Sequence, residues 1–388
     1  MSLDLRRRPR LAHDRALIEA ATELGDEVFN SLARRKPTRM TIHVTELCDA
    51  RCVMCNLWQT KKSDELGPDD YDRLFQDPFF GRVRRVVITG GEATIRKDLA
   101  QIVSILERRL PRLRRITIAT NALNTRRLQE RLDDIVRAKV RPDVRILMQI
   151  SLDGIGGVHE AVRGTPGAFE KVQASVAAIE GYRERYGYFD LAFGCVLQAV
   201  NIDGVYDLYA WFRERNYDFV YTMVTEADGY YKTGEIDARR GDAALHQKIR
   251  EFYTFLLARE TNPGKRLLFS DLLGMLDGKK QARACPMLRD SINLDPKGNV
   301  LPCVQAYERK FGNVRDGAAQ AWRGPDARRI VDDMRRNQCP TCTAACGVSY
   351  TAVAAYAIRE RLGRGRRAAL LPGAASTPEA PSEERRAA

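Results

Sequence analysis

Short runs of β-branched and other apolar residues alternate with amphipathic stretches over most of the first 225 residues. The amphipathic stretches carry apolar residues three and four positions apart, which is helical spacing. Six strand-helix units of this kind predict a parallel sheet with helices packed outside it. The six predicted strands contain the sequences MTIHV, RRVVITG, RITIATN, RILMQISLDG, DLAFGCVLQAV and DFVYTMV.

Polar residues occupy every second position near the carboxyl ends of several predicted strands. Gln149, Ser151 and Asp153 share one face of the fourth strand, while Ile150 and Leu152 share the other. One polar face and one apolar face are typical of a curved sheet whose concave side holds a ligand. We therefore expect an α/β fold, a partial (β/α)6 TIM-like barrel with its site at the carboxyl ends of the strands.

The strand-helix repeat stops near residue 240. The pattern as a whole divides the chain into five segments. We expect an N-terminal helical segment over 1–36, the partial barrel over 37–240 and a helical linker over 241–284. A small cysteine-rich extension of β-hairpin and helix is expected over 285–362, since SINLDPKGNVLPC has the alternation and the turn residues of a hairpin. The Arg-rich and then Ala-, Pro- and Ser-rich stretch 363–388 is expected to be disordered.

The charge balance favours a soluble protein without a membrane or nucleic-acid partner. Lys and Arg number 64 against 51 Asp and Glu, and the 51 arginines are spread along the chain rather than clustered. That spread favours a solvated Arg-rich surface, or a positive field that gathers an anionic substrate, over a nucleic-acid groove. No apolar run approaches the roughly 20 residues of a membrane helix. The N-terminal sequence MSLDLRRRPR is unlike a signal peptide, so we expect a cytoplasmic location.

Nine cysteines fall into two tight groups and one isolated position. An odd number with such close spacings favours metal ligation over a disulfide framework. The first group, Cys48, Cys52 and Cys55, directly follows the first predicted strand. A [4Fe–4S] cluster normally takes four thiolates, so three on one loop leave one iron open to a cofactor or substrate. The alternative is a zinc or iron knuckle completed by a distant ligand such as His43.

Further motifs follow the next three strands in a fixed order. They are Thr89-Gly90-Gly91-Glu92, Thr120-Asn121 and Ser151-Leu152-Asp153-Gly154. Together with the C-x3-C-x2-C loop, they make residues 38 to 225 resemble the radical S-adenosylmethionine (SAM) enzymes. The resemblance implies that SAM chelates the open iron. It further implies that one electron from the reduced cluster cleaves SAM, giving a 5′-deoxyadenosyl radical that takes hydrogen from a substrate.

The resemblance also implies a set of SAM contacts at the strand ends. Glu92 would accept from the methionyl amine, Ser151 and Arg163 would hold the carboxylate, and Asp153 would serve the ribose. Met54 stands where members of this family often carry an aromatic ring near the adenine. The alternatives are a solvated loop carboxylate for Glu92 and a turn or ion-pair role for Asp153 and Arg163. The full predicted set is Met54, Gly90, Gly91, Glu92, Asn121, Ser151, Asp153, Arg163 and Gln198.

The second cysteine group resembles the SPASM/Twitch extension of this family, which carries auxiliary [4Fe–4S] clusters. Its C-x12-G-x4-C spacing passes through Gly298 and is followed by C-x2-C-x3-C. Five cysteines suit one auxiliary cluster with a spare, and a zinc ribbon is the alternative. The predicted ligands are Cys285, Cys303, Cys339 and Cys342, with Cys346 able to replace one of the last pair.

Three residues are candidates for the catalytic steps that follow radical formation. The Cys195 thiol is suited to returning hydrogen to a substrate radical. However, its strand parity is opposite to that of Gln198, which favours a buried structural role. Tyr221 and Glu226, near the end of the sixth strand, are candidate proton acceptors.

The predicted function is a radical SAM oxidoreductase or epimerase acting on a small polar metabolite, such as a sugar, aminocyclitol or nucleoside. Oxidation, epimerisation and rearrangement all remain open. We expect a one-electron reductant such as a flavodoxin or ferredoxin as a partner. The first alternative is a peptide maturase with a separate recognition protein, because about 36 residues before the first strand are too few for a recognition domain. A more remote alternative, a zinc-ribbon nucleic-acid binder, leaves the Gly-Gly-Glu motif without a purpose.

Overall fold

The computed structural model describes residues 36–61, 64–224, 230–231, 243–277, 285–336 and 339. The predicted N-terminal helical segment, apart from Lys36, and the predicted C-terminal tail lie outside these residues. Glu226, Cys342 and Cys346 also lie outside them. Among the described helices, none is both long and apolar enough to span a bilayer.

A nine-stranded sheet forms the centre of the described chain, in the order β6-β5-β4-β3-β2-β1-β7-β8-β9. Strands β1 to β7 run parallel to one another, and β8 and β9 extend the sheet beyond β7 by antiparallel pairing. The sheet of described strands does not close on itself, which confirms the predicted partial (β/α)6 barrel. The strands are β1 Arg39–Thr45, β2 Arg85–Gly90, β3 Arg115–Thr120, β4 Arg145–Ser151, β5 Phe189–Leu197, β6 Asp218–Met223, β7 Ser291–Leu294, β8 Asn299–Leu301 and β9 Gly312–Asn313.

Ten α-helices are described, most of them connecting the parallel strands. Their apolar stripes cover the outer face of the sheet, as the helical spacing predicts. The helices are α1 Pro68–Leu74, α2 Leu99–Arg109, α3 Thr125–Ala138, α4 Gly157–Arg163, α5 Ala168–Tyr186, α6 Val205–Glu214, α7 Ala243–Arg259, α8 Pro263–Leu276, α9 Ala318–Arg323 and α10 Pro325–Arg336.

The main core lies between the outer face of the sheet and these helices. One register row crosses five neighbouring strands through Ile42, Ile88, Ile118, Met148 and Leu191, and every member is buried. Burial of each such side chain contributes roughly 1.5–3 kcal/mol. Because strand side chains alternate, this row turns the intervening polar positions toward the concave face.

The cysteine-rich extension begins as a hairpin, as its sequence predicts. Asp295 shapes the turn, since its Oδ1 accepts from the backbone N–H groups of Lys297 and Asn299, at 3.0 and 2.8 Å. Gly298 supplies the positive φ of 83° that the turn requires. The hydrophobic pattern did not predict, however, that β7 would pair in parallel with β1 and so extend the main sheet.

Candidate functional site

The loop that carries the first cysteine group follows β1 and is held by backbone hydrogen bonds. Arg51 donates to the carbonyl of Arg163 and Val53 to that of Val162, both at 3.0 Å. The three thiols line a cavity of about 310 Å³ at the carboxyl ends of the parallel strands. The lining residues are Cys48, Ala50, Cys52, Met54, Cys55, Leu57, Thr89, Gly90, Gly91, Ala119, Thr120, Asn121, Ser151, Arg163, Val196, Thr222, Met223, Val224, Tyr231 and Gln305.

The glycine pair after β2 packs directly against the start of the cysteine loop. The Gly91 N–H donates to the carbonyl of Thr45 at 2.8 Å, and the next N–H donates to the carbonyl of Leu47. A Cβ at Gly91 would lie 2.1 Å from the Leu47 carbonyl oxygen, and one at Gly90 would lie 2.2 Å from that of Thr45. Only glycine permits so close an approach of the two backbones. The pair therefore fixes the chain immediately before Cys48.

Glu92, which the resemblance assigns to the methionyl amine, lies in a buried hydrogen-bond network. Its carboxylate is fully buried and does not belong to the described cavity lining. Oε1 accepts from Thr120 Oγ1 at 2.8 Å and from both the N–H and the hydroxyl of Thr94, while Oε2 accepts from the Asn121 N–H at 2.7 Å. Burial raises the pKa of Glu92 despite these bonds. The turn after Gly91 carries the carboxylate between the ends of β2 and β3 and ties them together. The contact of Glu92 with the methionyl amine stays a prediction.

Asn121 connects the end of β3 to the cysteine loop. Its side-chain N–H donates to Asp49 Oδ1 at 2.8 Å and lies 4.0 Å from the sulfur of Cys48. The other oxygen of Asp49 is paired with Arg127 at 2.5 Å. The first cysteine of the loop is thus oriented from α3 and from β3 together.

Arg163 and Asp153 form a buried ion pair at the cavity wall. Arg163 Nη2 lies 2.5 Å from Asp153 Oδ2, and its Nη1 lies 3.4 Å from the sulfur of Cys52. Asp153 is fully buried and does not belong to the described lining, which favours the ion-pair role over the predicted ribose contact. Burial lowers the pKa of Arg163, but Asp153 and Cys52 outweigh burial and leave the pKa raised.

Three further predicted SAM contacts lie near one another. Ser151 and Met54 line the cavity. Gln198 is buried just beyond β5, where its Nε2 lies 3.8 Å from the sulfur of Met54. Gln198 therefore supports a residue of the described lining without belonging to that lining.

Cys195 and Tyr221, two of the catalytic candidates, lie on the wrong face of the sheet. Each points away from the cavity, because its neighbours Val196 and Thr222 are the residues that line it. Cys195 is buried, and burial raises its pKa well above the usual range. Tyr221 packs against Phe252 of α7 with ring centroids 4.8 Å apart. Neither side chain can act on a molecule in this cavity.

Several lining residues were missed by the sequence interpretation. Strand alternation alone points to Thr222 once Tyr221 is assigned to the outer face. No comparable signal marks Gln305, which the extension contributes. Its Oε1 is buried and has no hydrogen-bond partner within the part of the chain that the structure describes. Met223, Val224 and Leu57 complete the wall as apolar groups.

Two family models match the chain. One, described as the radical SAM superfamily, matches residues 42–185, and the SPASM model, described as an iron-sulfur cluster-binding domain, matches 285–347. The chain belongs to the radical SAM superfamily. It is a radical SAM enzyme with a SPASM-type C-terminal domain, and its cofactors are SAM and iron–sulfur clusters.

Curated relatives match this radical SAM enzyme over part of their length. Molybdenum cofactor biosynthesis protein moc-5 of Caenorhabditis elegans is 27% identical over 170 residues, which cover 41% of the chain and 28% of the relative. The GTP 3′,8-cyclase of Nitrobacter winogradskyi is 25% identical over 216 residues, which cover 54% and 58%. The chain thus spans less than two thirds of either relative.

Solved radical SAM structures share the fold. Streptococcus suis SuiB bound to SAM superposes with a TM-score of 0.56 at 17% identity, covering 79% of this chain and 71% of SuiB. The structure of anSMEcpe with bound AdoMet gives a TM-score of 0.57 at 15% identity, covering 85% and 99%. At these identities the likeness extends to the fold alone.

The three thiols of the radical SAM loop are ligands of the type that a [4Fe–4S] cluster takes. Within the described residues, no three His, Cys, Asp or Glu side chains converge on a point where one metal ion could bind. A cubane instead takes one thiolate per iron, so its ligands surround a larger body. Burial raises the pKa of Cys48 to about 12, so ligation of iron must displace its proton.

The SPASM cysteines are described in part. Cys303 is buried, and Cys285 and Cys339 are half-buried against the core of the extension. The other two predicted ligands of this group lie outside the described residues. Because Gln305 follows Cys303 by two positions and lines the cavity, the extension reaches the cavity that holds the first cysteine group.

His43, the proposed distant ligand of a metal knuckle, lies on the concave face of β1 in an apolar contact. Its ring meets that of Tyr230 edge-on with centroids 4.5 Å apart. Both ring nitrogens are buried, and neither has a hydrogen-bond partner among the described residues. Burial lowers the pKa of His43 to about 4, and Asp295 opposes the shift. This environment holds a neutral imidazole.

Because the folded protein holds His43 neutral, we expect the protein to lose stability in acid. Its folded pKa of about 4 lies below the ordinary 6.5, so protonation favours unfolding as the pH falls from 6.5 toward 4. The loss amounts to at most roughly 3 kcal/mol. We expect His43→Leu to show a smaller drop in urea midpoint between about pH 7 and pH 5 than the wild type. Exposed His246→Gln is the control, and an equal drop in all three proteins would contradict the prediction.

Proposed function

We propose that this radical SAM enzyme holds its SAM-binding [4Fe–4S] cluster with Cys48, Cys52 and Cys55 and acts on a small polar metabolite. The observation that supports this most is the shared cavity. The three thiols, the glycine pair, Ser151 and Arg163 line a single concave site at the strand ends. Open parallel sheets bind ligands at this edge.

When bound, the reduced cluster supplies the electron that cleaves SAM into methionine and a 5′-deoxyadenosyl radical, which takes a hydrogen atom from the substrate. The chain's own residues position the reactants and exclude water. Gly90 and Gly91 fix the cysteine loop, Asn121 and Asp49 orient Cys48, and Met223 and Val224 supply an apolar wall. Exclusion of water protects a reactive intermediate from side reactions.

The lining of the cavity favours a polar substrate. Hydroxyl and amide groups of Thr89, Thr222 and Gln305 offer hydrogen bonds. Among the described lining residues Arg163 carries the one charge, and Asp153 neutralises it. The name GTP 3′,8-cyclase, carried by curated relatives, also points to a small-molecule substrate.

A peptide maturase is the second candidate. It is favoured by fold likeness to SuiB, whose structures include one bound to the precursor peptide SuiA, at 16% identity and a TM-score of 0.54. Structures of anSMEcpe with bound peptides give a TM-score of 0.56 at 14% identity. The auxiliary cluster that we propose for Cys285, Cys303, Cys339 and Cys342 or Cys346 suits oxidation of either substrate class.

Anaerobic reconstitution tests the proposal. We expect about eight iron and eight sulfide per chain, from two [4Fe–4S] clusters, and equal amounts of methionine and 5′-deoxyadenosine after reduction with SAM. The reduced protein is then offered deuterated sugars, aminocyclitols, nucleosides and peptides. Mass spectrometry should find deuterium in 5′-deoxyadenosine with a small metabolite. Transfer from peptides alone would contradict the substrate class, and zinc without sulfide would contradict the chemistry.

A further inference from the structure

Arg163 is placed to touch the sulfur of a predicted cluster ligand. Its Nη1 lies 3.4 Å from Cys52 Sγ, within the range of a hydrogen bond to sulfur. Both residues are buried, with 7% and 8% of their surface exposed. The guanidinium stays charged at every pH at which the protein folds, so this donor is permanent.

The arrangement around Arg163 holds the guanidinium in one orientation. Asp153 takes the other terminal nitrogen, and Asp153 Oδ1 accepts from the Val196 N–H at 2.8 Å. Asn201 donates to the Asp153 carbonyl at 2.9 Å. The Arg163 carbonyl also accepts from Arg51 on the cysteine loop, so backbone and side chain hold the same loop. Rotation away from Cys52 would break this network.

We propose that Arg163 raises the reduction potential of the SAM-binding cluster through its hydrogen bond to the Cys52 sulfur. This rests on the proposed function only in that Cys52 ligates that cluster. Reduction adds one electron, supplied by an external one-electron donor, and so adds negative charge at the cluster and its thiolates. A donor hydrogen bond to a cluster sulfur stabilises the added charge. Because the contact is buried, solvent screens it weakly.

This role differs from holding the carboxylate of SAM, and the two are separable by experiment. A residue that only binds SAM changes the affinity for SAM and leaves the cluster unchanged while SAM is absent. A residue that donates to Cys52 changes the cluster potential before SAM is added. The potential is therefore measured without SAM.

The experiment is a redox titration of the reconstituted full chain followed by electron paramagnetic resonance. The SAM-binding cluster is the one whose signal later changes on addition of SAM. We expect Arg163→Gln to shift its midpoint to lower potential and to leave the auxiliary cluster's midpoint unchanged as an internal reference. Arg127→Gln is the matched control, because it removes a charge that contacts the same loop through Asp49 and touches no thiol in its described contacts.

Three outcomes would overturn the proposal. One is an unchanged midpoint in an Arg163→Gln protein with full iron content, and another is an equal shift in Arg127→Gln. If Arg163→Gln loses iron, the midpoint potential of Arg163→Lys is measured in its place. A single ammonium cannot reproduce the planar fork that contacts both Asp153 and Cys52, so we expect a smaller shift to lower potential. A wild-type midpoint in Arg163→Lys is the third overturning outcome. A wild-type chain with no SAM-responsive signal would instead refute the proposed function itself.

Discussion

Replacing Cys48, Cys52 and Cys55 together by Ala should reduce the formation of 5′-deoxyadenosine to background and remove about half of the bound iron. The three thiols line the cavity where SAM is proposed to bind, and without them no cluster remains to deliver an electron. Chromatography of the reaction products and iron analysis of the anaerobic protein provide the two readouts.

The matched control for this change is Cys195→Ala. Cys195 is buried on the outer face, where its sulfur accepts from the side chain of Asn201. We expect this variant to keep its iron and its SAM cleavage, with a cost in stability of about 1–3 kcal/mol for the lost packing. SAM cleavage by the triple variant, or its loss in Cys195→Ala with folding intact, would show that the ligands are assigned wrongly.

Gly91→Ala should have nearly as large an effect, although it removes no ligand. The added Cβ would lie 2.1 Å from the carbonyl oxygen of Leu47, and because that atom is backbone, the loop itself has to move. Overpacking of this kind typically costs about 1–3 kcal/mol. We expect loss of iron from the SAM-binding cluster and loss of SAM cleavage, while the iron of the auxiliary cluster stays.

Gly181→Ala is the control for replacing a glycine by alanine at a position where the added Cβ has room. Gly181 lies within α5, and a Cβ there meets nothing within 4 Å. This variant should therefore gain roughly 0.5–1 kcal/mol of stability from helix propensity and keep full iron. If Gly91→Ala also kept full iron and activity, the glycine pair could not be what fixes the loop.

The sequence allowed the overall fold and the position of the site to be predicted because both depend on periodicity. Alternation within β5 separates Val196 from Cys195, and the polar positions of β4 place Ser151 in the cavity. The cysteine loop follows the first strand, so its location at the carboxyl edge is a consequence of strand direction.

The roles of individual carboxylates could not be predicted in the same way. Glu92 and Asp153 both sit in motifs next to the cavity, yet each is fully buried and bound to neighbouring protein groups. A motif gives the position along the chain but not the direction in which a turn carries its side chain. Gln305 is the opposite case, a residue outside any motif that does line the cavity. Its place depends on how the extension packs, which no local sequence pattern encodes.

The parallel pairing of β7 with β1 has a consequence for access to the cavity. Four residue pairs, from Arg39 with Ser291 to Ile42 with Leu294, join the two strands. Movement of the extension away from the barrel would break the backbone hydrogen bonds between β1 and β7. We therefore expect the extension to stay fixed to the barrel while substrate enters and leaves.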